Sequence, residues 1–171
     1  IPFASAGVGS STHLTAEYFA QAAKVKMIHV PFKGSPEAIT DAATGRVSFY
    51  MAPIGTAIGM AQENRVRVLG VTSSKRVPQL PSVPTIAEQG LAGFAMDLWF
   101  GVWVPGGTPR TVVDKINADI NQALQMKDVQ AQYEKLGMTP GAMTTAQFAK
   151  FVRSEIDKYQ KIVKSAGIKP L

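Results

Sequence analysis

The 171-residue sequence contains no cysteine, which excludes a disulfide scaffold, a thiol nucleophile and a thiolate metal site. Histidine is scarce too, with His13 and His29 alone. Because no HExxH motif, DxD motif or carboxylate cluster accompanies them, we expect no metal site. Long apolar runs are also missing. The longest, residues 98–105, is far shorter than the roughly 18 residues of a membrane helix, so we expect no transmembrane segment.

Acidic residues are outnumbered, since 18 Lys and Arg stand against 12 Asp and Glu. The resulting surplus attracts anions. The basic residues are scattered, however, and Lys75-Arg76 is their only adjacent pair. No basic stripe is therefore available for nucleic acid, and we expect neither a nucleic-acid nor a membrane-surface partner. The sequence opens at Ile1 without a basic or apolar leader, so we expect any targeting signal to lie upstream or to have been removed.

Short β-rich runs alternate with helical patterns over the first 72 residues, which is typical of a parallel α/β sheet. The pattern predicts strands over residues 2–5, 26–30, 47–51 and 67–72, and helices over residues 12–23, 36–43 and 54–62. A stretch rich in Ser, Lys, Arg and Pro follows at residues 73–85 and indicates a connector. We place a boundary between two lobes at this connector.

The remainder of the chain is predicted to be mainly helical. Thr85 and Glu88 form a capping box that favours a short helix. Residues 97–104 (DLWFGVWV) predict a buried strand, in which Trp99 and Trp103 share one face and pack in a core. Three helices are predicted after it: one begins at Thr108-Pro109, one covers residues 128–136, and the last is capped by Thr144 and Gln147.

Three loops carry the candidate chemistry, and each joins a predicted strand to a predicted helix. They read AGVGSSTH from Ala6, PFKGSPE from Pro31 and MAPIGT from Met51. Small residues leave backbone amides and hydroxyls free at a helix N-terminus, which carries about half a positive charge and attracts anions. Ligands of parallel sheets bind outside the carboxyl ends of the strands, so we expect the three loops to converge on one anion.

Each loop also has a simpler interpretation. Gly7 and Gly9 can form a tight turn before a helix that Ser11 merely caps, and Lys33 can be a solvated loop lysine. A dinucleotide site would need Gly or Ala where Thr12 stands, and the P-loop Lys-Ser/Thr pair is absent. We therefore expect no cofactor.

Serine catalysis finds little support in the sequence. His13 is too close along the chain to Ser10 and Ser11 to be an obvious general base. His29 alternates within a predicted strand, which favours a core position or one on the face of a lobe.

Four segments together resemble one known family. These are GVGSSTH, HVPFKGSPEAITD, LGVTSSKRVPQLPSVPTIAEQG and WFGVWVPGGTPRTVVDKIN, and they resemble the substrate-binding proteins of tripartite tricarboxylate transporters, the Bug family. The resemblance runs from end to end. It implies a periplasmic α/β protein with a periplasmic-binding-protein-like fold of type II, which closes on a small organic carboxylate, passes it to a membrane permease and catalyses no reaction.

The resemblance also assigns parts and residues. Residues 1–72 correspond to the α/β domain of the second lobe, and residues 73–171 to the connector with the C-terminal portion of the first lobe. The loop from Ser5 to Ser11 and the loop from Phe32 to Ser35 correspond to ligand-gripping loops. With the residues singled out in the loops themselves, the predicted ligand-binding set is Ser5, Ala6, Gly7, Val8, Gly9, Ser10, Ser11, His13, Phe32, Lys33, Gly34, Ser35, Pro53 and Thr56.

The sequence departs from the family pattern in two ways. Members commonly have an acidic or amide residue where this chain reads Met51-Ala-Pro-Ile, so a ligand gripped through an ammonium group is not expected. Members are also longer, and the chain corresponds to their C-terminal portion. The loss of packing partners predicts exposed apolar surface, and hence a homo-oligomer or a segment-swapped dimer, with weakened ligand affinity.

Two other classes of function stay open at this stage. An effector-binding regulatory module of similar two-lobed shape would carry a DNA-binding segment upstream, whereas a binding protein would carry a signal peptide. A serine-dependent enzyme would use Ser10 or Ser11 as nucleophile.

Overall fold

The computed structural model describes residues 1–168. Its elements are β1 (Pro2–Ser5), α1 (Ser11–Ala23), β2 (Ile28–Pro31), α2 (Ser35–Ala43), β3 (Phe49–Tyr50), α3 (Ile54–Gln62), α4 (Arg110–Ala123), α5 (Lys127–Lys135) and α6 (Thr145–Ser165). The chain forms two compact units. Unit 1 is Ile1–Leu98 with the end of the chain from Tyr159, and unit 2 is Trp99–Lys158. The lobe boundary at residues 72 and 73 stays a prediction.

A three-stranded parallel sheet organises unit 1, with the strand order β2-β1-β3. Phe3 of β1 pairs with His29 on one side and with Phe49 on the other. Because all strands are parallel, their carboxyl ends meet at one edge of the sheet. The α/β class with a parallel sheet is therefore confirmed.

Alternation along β1 builds a layer on each face of the sheet. Phe3 stacks on His13 of α1, Ser5 lies on the same face of the strand by alternation, and Ala4 packs with Ala38 of α2 and with Val47. These three β1 residues are completely buried. Helix α1 also contributes Leu14 to a second cluster with Phe94, Met96 and Ile162. Both helices thus bury an apolar stripe, and β1 is fixed in the centre of unit 1.

The strand predicted over residues 67–72 does not form. Val71 makes one isolated parallel bridge, to Thr85, in which its amide donates to the Pro84 carbonyl at 3.0 Å. Proline has no N–H group, so Pro84 cannot contribute a donor to a longer ladder. The short helix predicted from Thr85 is also wrong. Its capping box does form, with Thr85 N–H donating to Glu88 Oε2 at 2.7 Å, but it holds a series of turns.

The buried strand predicted over residues 97–104 is wrong as well. Phe100, Val102 and Trp103 are 71, 64 and 64% exposed. Within the described residues, the backbone of residues 98–104 makes no hydrogen bond. The odd-numbered residues of this segment pack instead on α6, where the rings of Trp99 and Trp103 both contact Phe148. The two tryptophans do share a face as predicted, but Trp103 is not in a core.

The other predicted helices are present, with small differences at their ends. Ser10 caps α1, not Ser11, and its Oγ accepts from His13 N–H. Gly34 caps α2, so Ser35 is the first helical residue and not the cap. Pro109 stands at the cap of α4, and the Thr144–Gln147 box begins α6 as predicted. No helix within residues 1–168 has the length and apolar character needed to cross a membrane.

Candidate functional site

The loops after β1 and β2 touch each other at the carboxyl edge of the sheet. Phe32 N–H donates to the Ser5 carbonyl at 3.0 Å. A side chain at Gly7 would place its Cβ 3.4 Å from the Phe32 carbonyl oxygen. The end of β3 joins this edge through the Tyr50 hydroxyl, which donates to Ser35 Oγ at 2.8 Å. The sheet therefore brings together most of the residues predicted from the first two loops.

Glycines give the first loop, residues 5–10, its shape. Gly7 and Gly9 have φ angles of 130° and 75°, which residues other than glycine adopt only with strain. Several polar groups of the loop bind one another. Gly7 N–H donates to Ser5 Oγ at 3.1 Å, Ser10 Oγ donates to the Gly7 carbonyl at 2.7 Å, and Ala6 N–H donates to Thr12 Oγ1 at 2.9 Å. The loop is thus built as a rigid turn.

A pair of stacked imidazoles lies beneath this loop. The ring centroids of His13 and His29 are 3.7 Å apart. Gly9 N–H donates to His13 Nδ1 at 3.1 Å, and His29 Nε2 lies 2.6 Å from Ser5 Oγ. Burial lowers the pKa of His29 to about 4, with a further contribution from His13. Burial also lowers the pKa of His13, against the opposing effect of Glu17. Both rings are therefore neutral at neutral pH.

Amides that the loop does not use remain at the N-terminus of α1. Of the four amide groups that begin the helix, Ser10 N–H binds the Gly7 carbonyl and His13 N–H binds Ser10 Oγ. The amides of Ser11 and Thr12, and that of Val8 in the loop, meet no acceptor among the described residues. These are uncharged donors at the positive end of a 13-residue helix, where an anion is stabilised.

The second loop supplies a cation and a hydroxyl. Gly34 has a φ angle of 152° and turns the chain into α2. The Lys33 amide is occupied by the Glu37 carboxylate at 3.2 Å, so the ammonium group is the part of Lys33 that can act on a ligand. Ser35 Oγ accepts a hydrogen from Tyr50. Its own proton thus remains free to be donated.

The third loop is less closely connected to the other two. Pro53 caps α3, and its carbonyl accepts from Thr56 N–H at 3.0 Å. Among the described residues, neither Pro53 nor Thr56 has a hydrogen bond to the first or second loop. Their place in a common site with the other residues stays a prediction.

Three residues of this region have roles that the sequence did not predict. Thr12 holds the Ala6 amide, His29 holds Ser5, and Tyr50 orients Ser35. Tyr50 could have been found as a polar side chain near the end of the strand predicted over residues 47–51, which leads to the predicted edge. The roles of Thr12 and His29 could not, because hydrogen bonds across the loop leave no spacing signal in the sequence.

The arrangement of serines does not favour a nucleophile. Ser5 is the serine in contact with an imidazole, but its side chain is completely buried and already bonded to Gly7. Ser10 Oγ serves as a helix cap. Residues 1–168 contain no group of three or more potential metal-binding side chains.

The sequence matches a family profile over residues 1–168, and its description is "Tripartite tricarboxylate transporter family receptor". A Pseudomonas sp. (strain P51) protein, the UPF0065 protein in the tcbD-tcbE intergenic region, is 42% identical over 95% of this chain and 49% of its own length. Protein BugT of Bordetella pertussis is 32% identical over 99% of this chain and 52% of its own. The chain thus spans about half the length of these two relatives.

Two solved structures are similar over nearly the whole chain. R. palustris Rpa4515 with adipate superimposes with a TM-score of 0.87 and 32% identity, covering 100% of this chain and 57% of that one. MatC (Rpa3494) from Rhodopseudomonas palustris with bound malate has a TM-score of 0.78 and 30% identity, covering 95% and 56%. The predicted periplasmic-binding-protein-like fold is confirmed by this class of neighbours.

Proposed function

The chain belongs to the tripartite tricarboxylate transporter receptor family, the Bug proteins, and from that premise we propose that it binds a small organic dicarboxylate in the periplasm. It passes the acid unchanged to the membrane permease of a tripartite tricarboxylate transporter. The adipate and malate held by its structural relatives support the class of ligand. Recognition without chemistry also fits a loop whose serines serve as structural hydrogen-bond partners.

The observation that carries this proposal is the set of free amides at the start of α1. The N–H groups of Val8, Ser11 and Thr12 have no protein acceptor among the described residues. One ligand carboxylate accepts hydrogen bonds from these amides and from the Ser11 hydroxyl. Each bond to a charged acceptor contributes about 1.5–3 kcal/mol, so several are needed to offset desolvation of the ligand.

The second loop binds the other end of the ligand. Ser35 donates its hydroxyl proton to an oxygen of the acid, because Tyr50 supplies a proton to Ser35 Oγ. Lys33 adds a positive charge at the same edge. The remaining predicted positions, Pro53 and Thr56, shape the wall beside the ligand.

Proline at position 11 tests the role of the amides. Ser11 is the first residue of α1, where proline is tolerated, and Ser10 has a ψ angle of 157° that suits a residue before proline. Ser11→Pro therefore removes one amide proton together with the hydroxyl. Ser11→Ala, the matched control, removes the hydroxyl alone.

Adipate and malate are titrated into each variant, with binding followed by amide chemical shifts and calorimetry. We expect the wild-type shifts to be largest at Val8, Ser11 and Thr12. Relative to Ser11→Ala, Ser11→Pro should weaken binding about tenfold or more, the equivalent of one charged hydrogen bond. Equal affinity of the two variants, or shifts confined to other residues, contradicts the proposed site.

We also propose that the chain self-associates through unit 2. The described part of unit 2 contains only two buried side chains, Leu124 and Glu155. A unit of this size needs an apolar core or a partner to be stable. The exposed segment of residues 98–104, where unit 2 begins, combines large apolar side chains with unpaired backbone groups. A second copy of the chain covers this segment.

A further inference from the structure

We propose that His13 is a positioning residue for the ligand loop, which keeps its binding geometry only while the His13 imidazole is neutral. The proposal rests on the function proposed above. It assigns to that function a proton-linked control, built from the contacts of one buried side chain.

The contact with Gly9 defines the protonation state that the loop requires. His13 Nδ1 accepts the Gly9 N–H at 3.1 Å, and only an unprotonated ring nitrogen can accept. A proton on Nδ1 would set two donors against each other. Gly9 has a φ angle of 75° and lies next to Ser10, the cap of α1. Displacement of Gly9 therefore shifts the turn that presents the free amides of Val8 and Ser11.

The imidazole has little freedom to avoid this conflict. The His13 side chain is buried, and its ring is stacked on His29 with an interplanar angle of 10°. Phe3 of β1 stacks on both imidazoles. His29 in turn holds Ser5, the acceptor of the Gly7 N–H. Rotation of His13 would thus disturb the stack that supports the other end of the loop.

The charged and titratable groups around His13 are few. Glu17, on α1 itself, lies 3.6 Å from His13 Nε2. From β2, His29 stacks on the His13 ring. From β1, Phe3 stacks on His13 and Ser5 contacts His29, and neither Phe3 nor Ser5 carries a charge. Glu17 favours the protonated ring and burial opposes it, and burial has the larger effect on the His13 pKa. The His13 imidazole therefore takes up its proton at a lower pH than an ordinary histidine, because its pKa is lowered.

Protonation has two opposite effects on an anionic ligand. A positive ring attracts the carboxylate, whereas loss of the Gly9 contact disorders its donors. Nε2 faces Glu17, so the new charge is paired on that side, while Nδ1 faces the loop. We expect the change in loop geometry to dominate, so acid weakens binding and binding releases a proton.

A ligand-free measurement tests the positioning role by itself. In the ¹⁵N-labelled free protein, the Gly9 amide shift should follow the His13 imidazole with the same midpoint, below pH 6.5. His13→Asn keeps an acceptor close to the Nδ1 position that does not titrate, so its Gly9 amide should stay constant over the same range. A Gly9 amide that is indifferent to the titration of His13 overturns the proposal, whether or not any acid binds.

The ligand measurement uses adipate at pH 7.5 and pH 5.0, with folding checked by circular dichroism. Adipate itself changes its protonation between these pH values, and this affects the dissociation constants of both proteins. The ratio of dissociation constants for the wild type is therefore divided by the same ratio for His13→Asn, which lacks the imidazole. We expect the quotient to exceed one, by up to about tenfold for each pH unit that separates pH 5.0 from the His13 pKa above it. His13→Leu, which offers no acceptor, should bind weakly at both pH values.

The outcomes separate the two proposals. A quotient near one, or uptake of a proton on binding in buffers of different ionisation enthalpy, overturns the control by His13. Absence of adipate and malate binding at pH 7.5 overturns the proposed function in this chain, and the Gly9 titration still decides the role of His13.

Discussion

Gly7 shows how closely the backbone of a single residue is tied to the candidate site. Its φ angle is 130°, and a Cβ at this position would lie 3.4 Å from the Phe32 carbonyl oxygen, so a side chain has no relaxed place. We expect Gly7→Ala to reduce the free energy of unfolding by about 1–2 kcal/mol and to weaken ligand binding.

Gly59 provides the matched control for this substitution. It lies within α3, and a Cβ there meets nothing within 4 Å. Gly59→Ala should stabilise the protein by about 0.5–1 kcal/mol because alanine is the better helix former. Urea denaturation compares the variants, and equal stability of Gly7→Ala and the wild type would show that the turn is not strained.

The pKa of His29 predicts how stability depends on pH. The folded protein holds this pKa at about 4, below the unfolded value of 6.5, so the unfolded chain binds more protons between these values. The contribution of His29 to the free energy of unfolding is fully present above pH 6.5 and is lost as the pH falls toward 4. Because His29 is partly exposed, solvent screening reduces this contribution, and we expect it to be about 1 kcal/mol, or about 2–4 °C in Tm.

His29→Gln isolates the pH-dependent contribution of His29, because glutamine can keep a polar atom near the position of the His29 Nε2 without titrating. The difference in Tm between pH 7 and pH 4.5 should be smaller for this variant than for the wild type in differential scanning calorimetry. An unchanged difference would mean that His29 does not carry the pH dependence.

At the same scale, the sequence indicated the composition of the site better than its bonding. Small residues between a strand and a helix predicted the turn that contains Gly7 and Gly9, and the structure contains it. The partner of Ser5 was not predictable, because His29 reaches it from a neighbouring strand and contacts between distant residues leave no local pattern in one sequence. Tyr50, the partner of Ser35, was signalled only by its place near the end of a predicted strand.

Among the elements, α6 offers a clear test of a predicted cap. Thr144 N–H donates to Gln147 Oε1 at 2.9 Å, and Gln147 N–H donates to Thr144 Oγ1 at 3.2 Å. Thr144→Ala removes the side-chain acceptor and should lower the free energy of unfolding by about 1 kcal/mol. Thr144→Ser retains the hydroxyl and is the control. Chemical denaturation that fails to separate the two variants would contradict the role of the cap.

Helices were predicted more reliably than strands, and the reason is physical. A helix satisfies its own backbone, so the apolar spacing and the caps of α1, α4 and α6 sufficed to locate them. A strand depends on a neighbour. Residues 67–72 and 97–104 have the composition of strands, but Pro84 limits one pairing and the other segment rests on α6. Sequence alone shows the tendency of a segment, not its partner.

At the scale of the whole molecule, the two units differ in how much apolar surface they bury. Unit 1 has a sheet with completely buried residues such as Phe3 and Ala4, together with the cluster around Phe94 and Met96. In unit 2 and at its border, the four even-numbered side chains at residues 98–104 are all exposed. An exposed apolar strip with unpaired backbone groups favours association.

Substitution of Phe100 tests the proposed self-association. Light scattering during size-exclusion chromatography should give a wild-type mass that rises from monomer toward dimer with protein concentration. Phe100→Lys places a charge on the strip and should move this transition to at least about tenfold higher concentration, since a buried aromatic anchor commonly contributes more than about 1.4 kcal/mol. Leu136→Lys, at an apolar residue of similar exposure outside the strip, should leave the transition unchanged. A wild type that remains monomeric at every concentration removes the proposal, and equal effects of the two substitutions would place the contact elsewhere on unit 2.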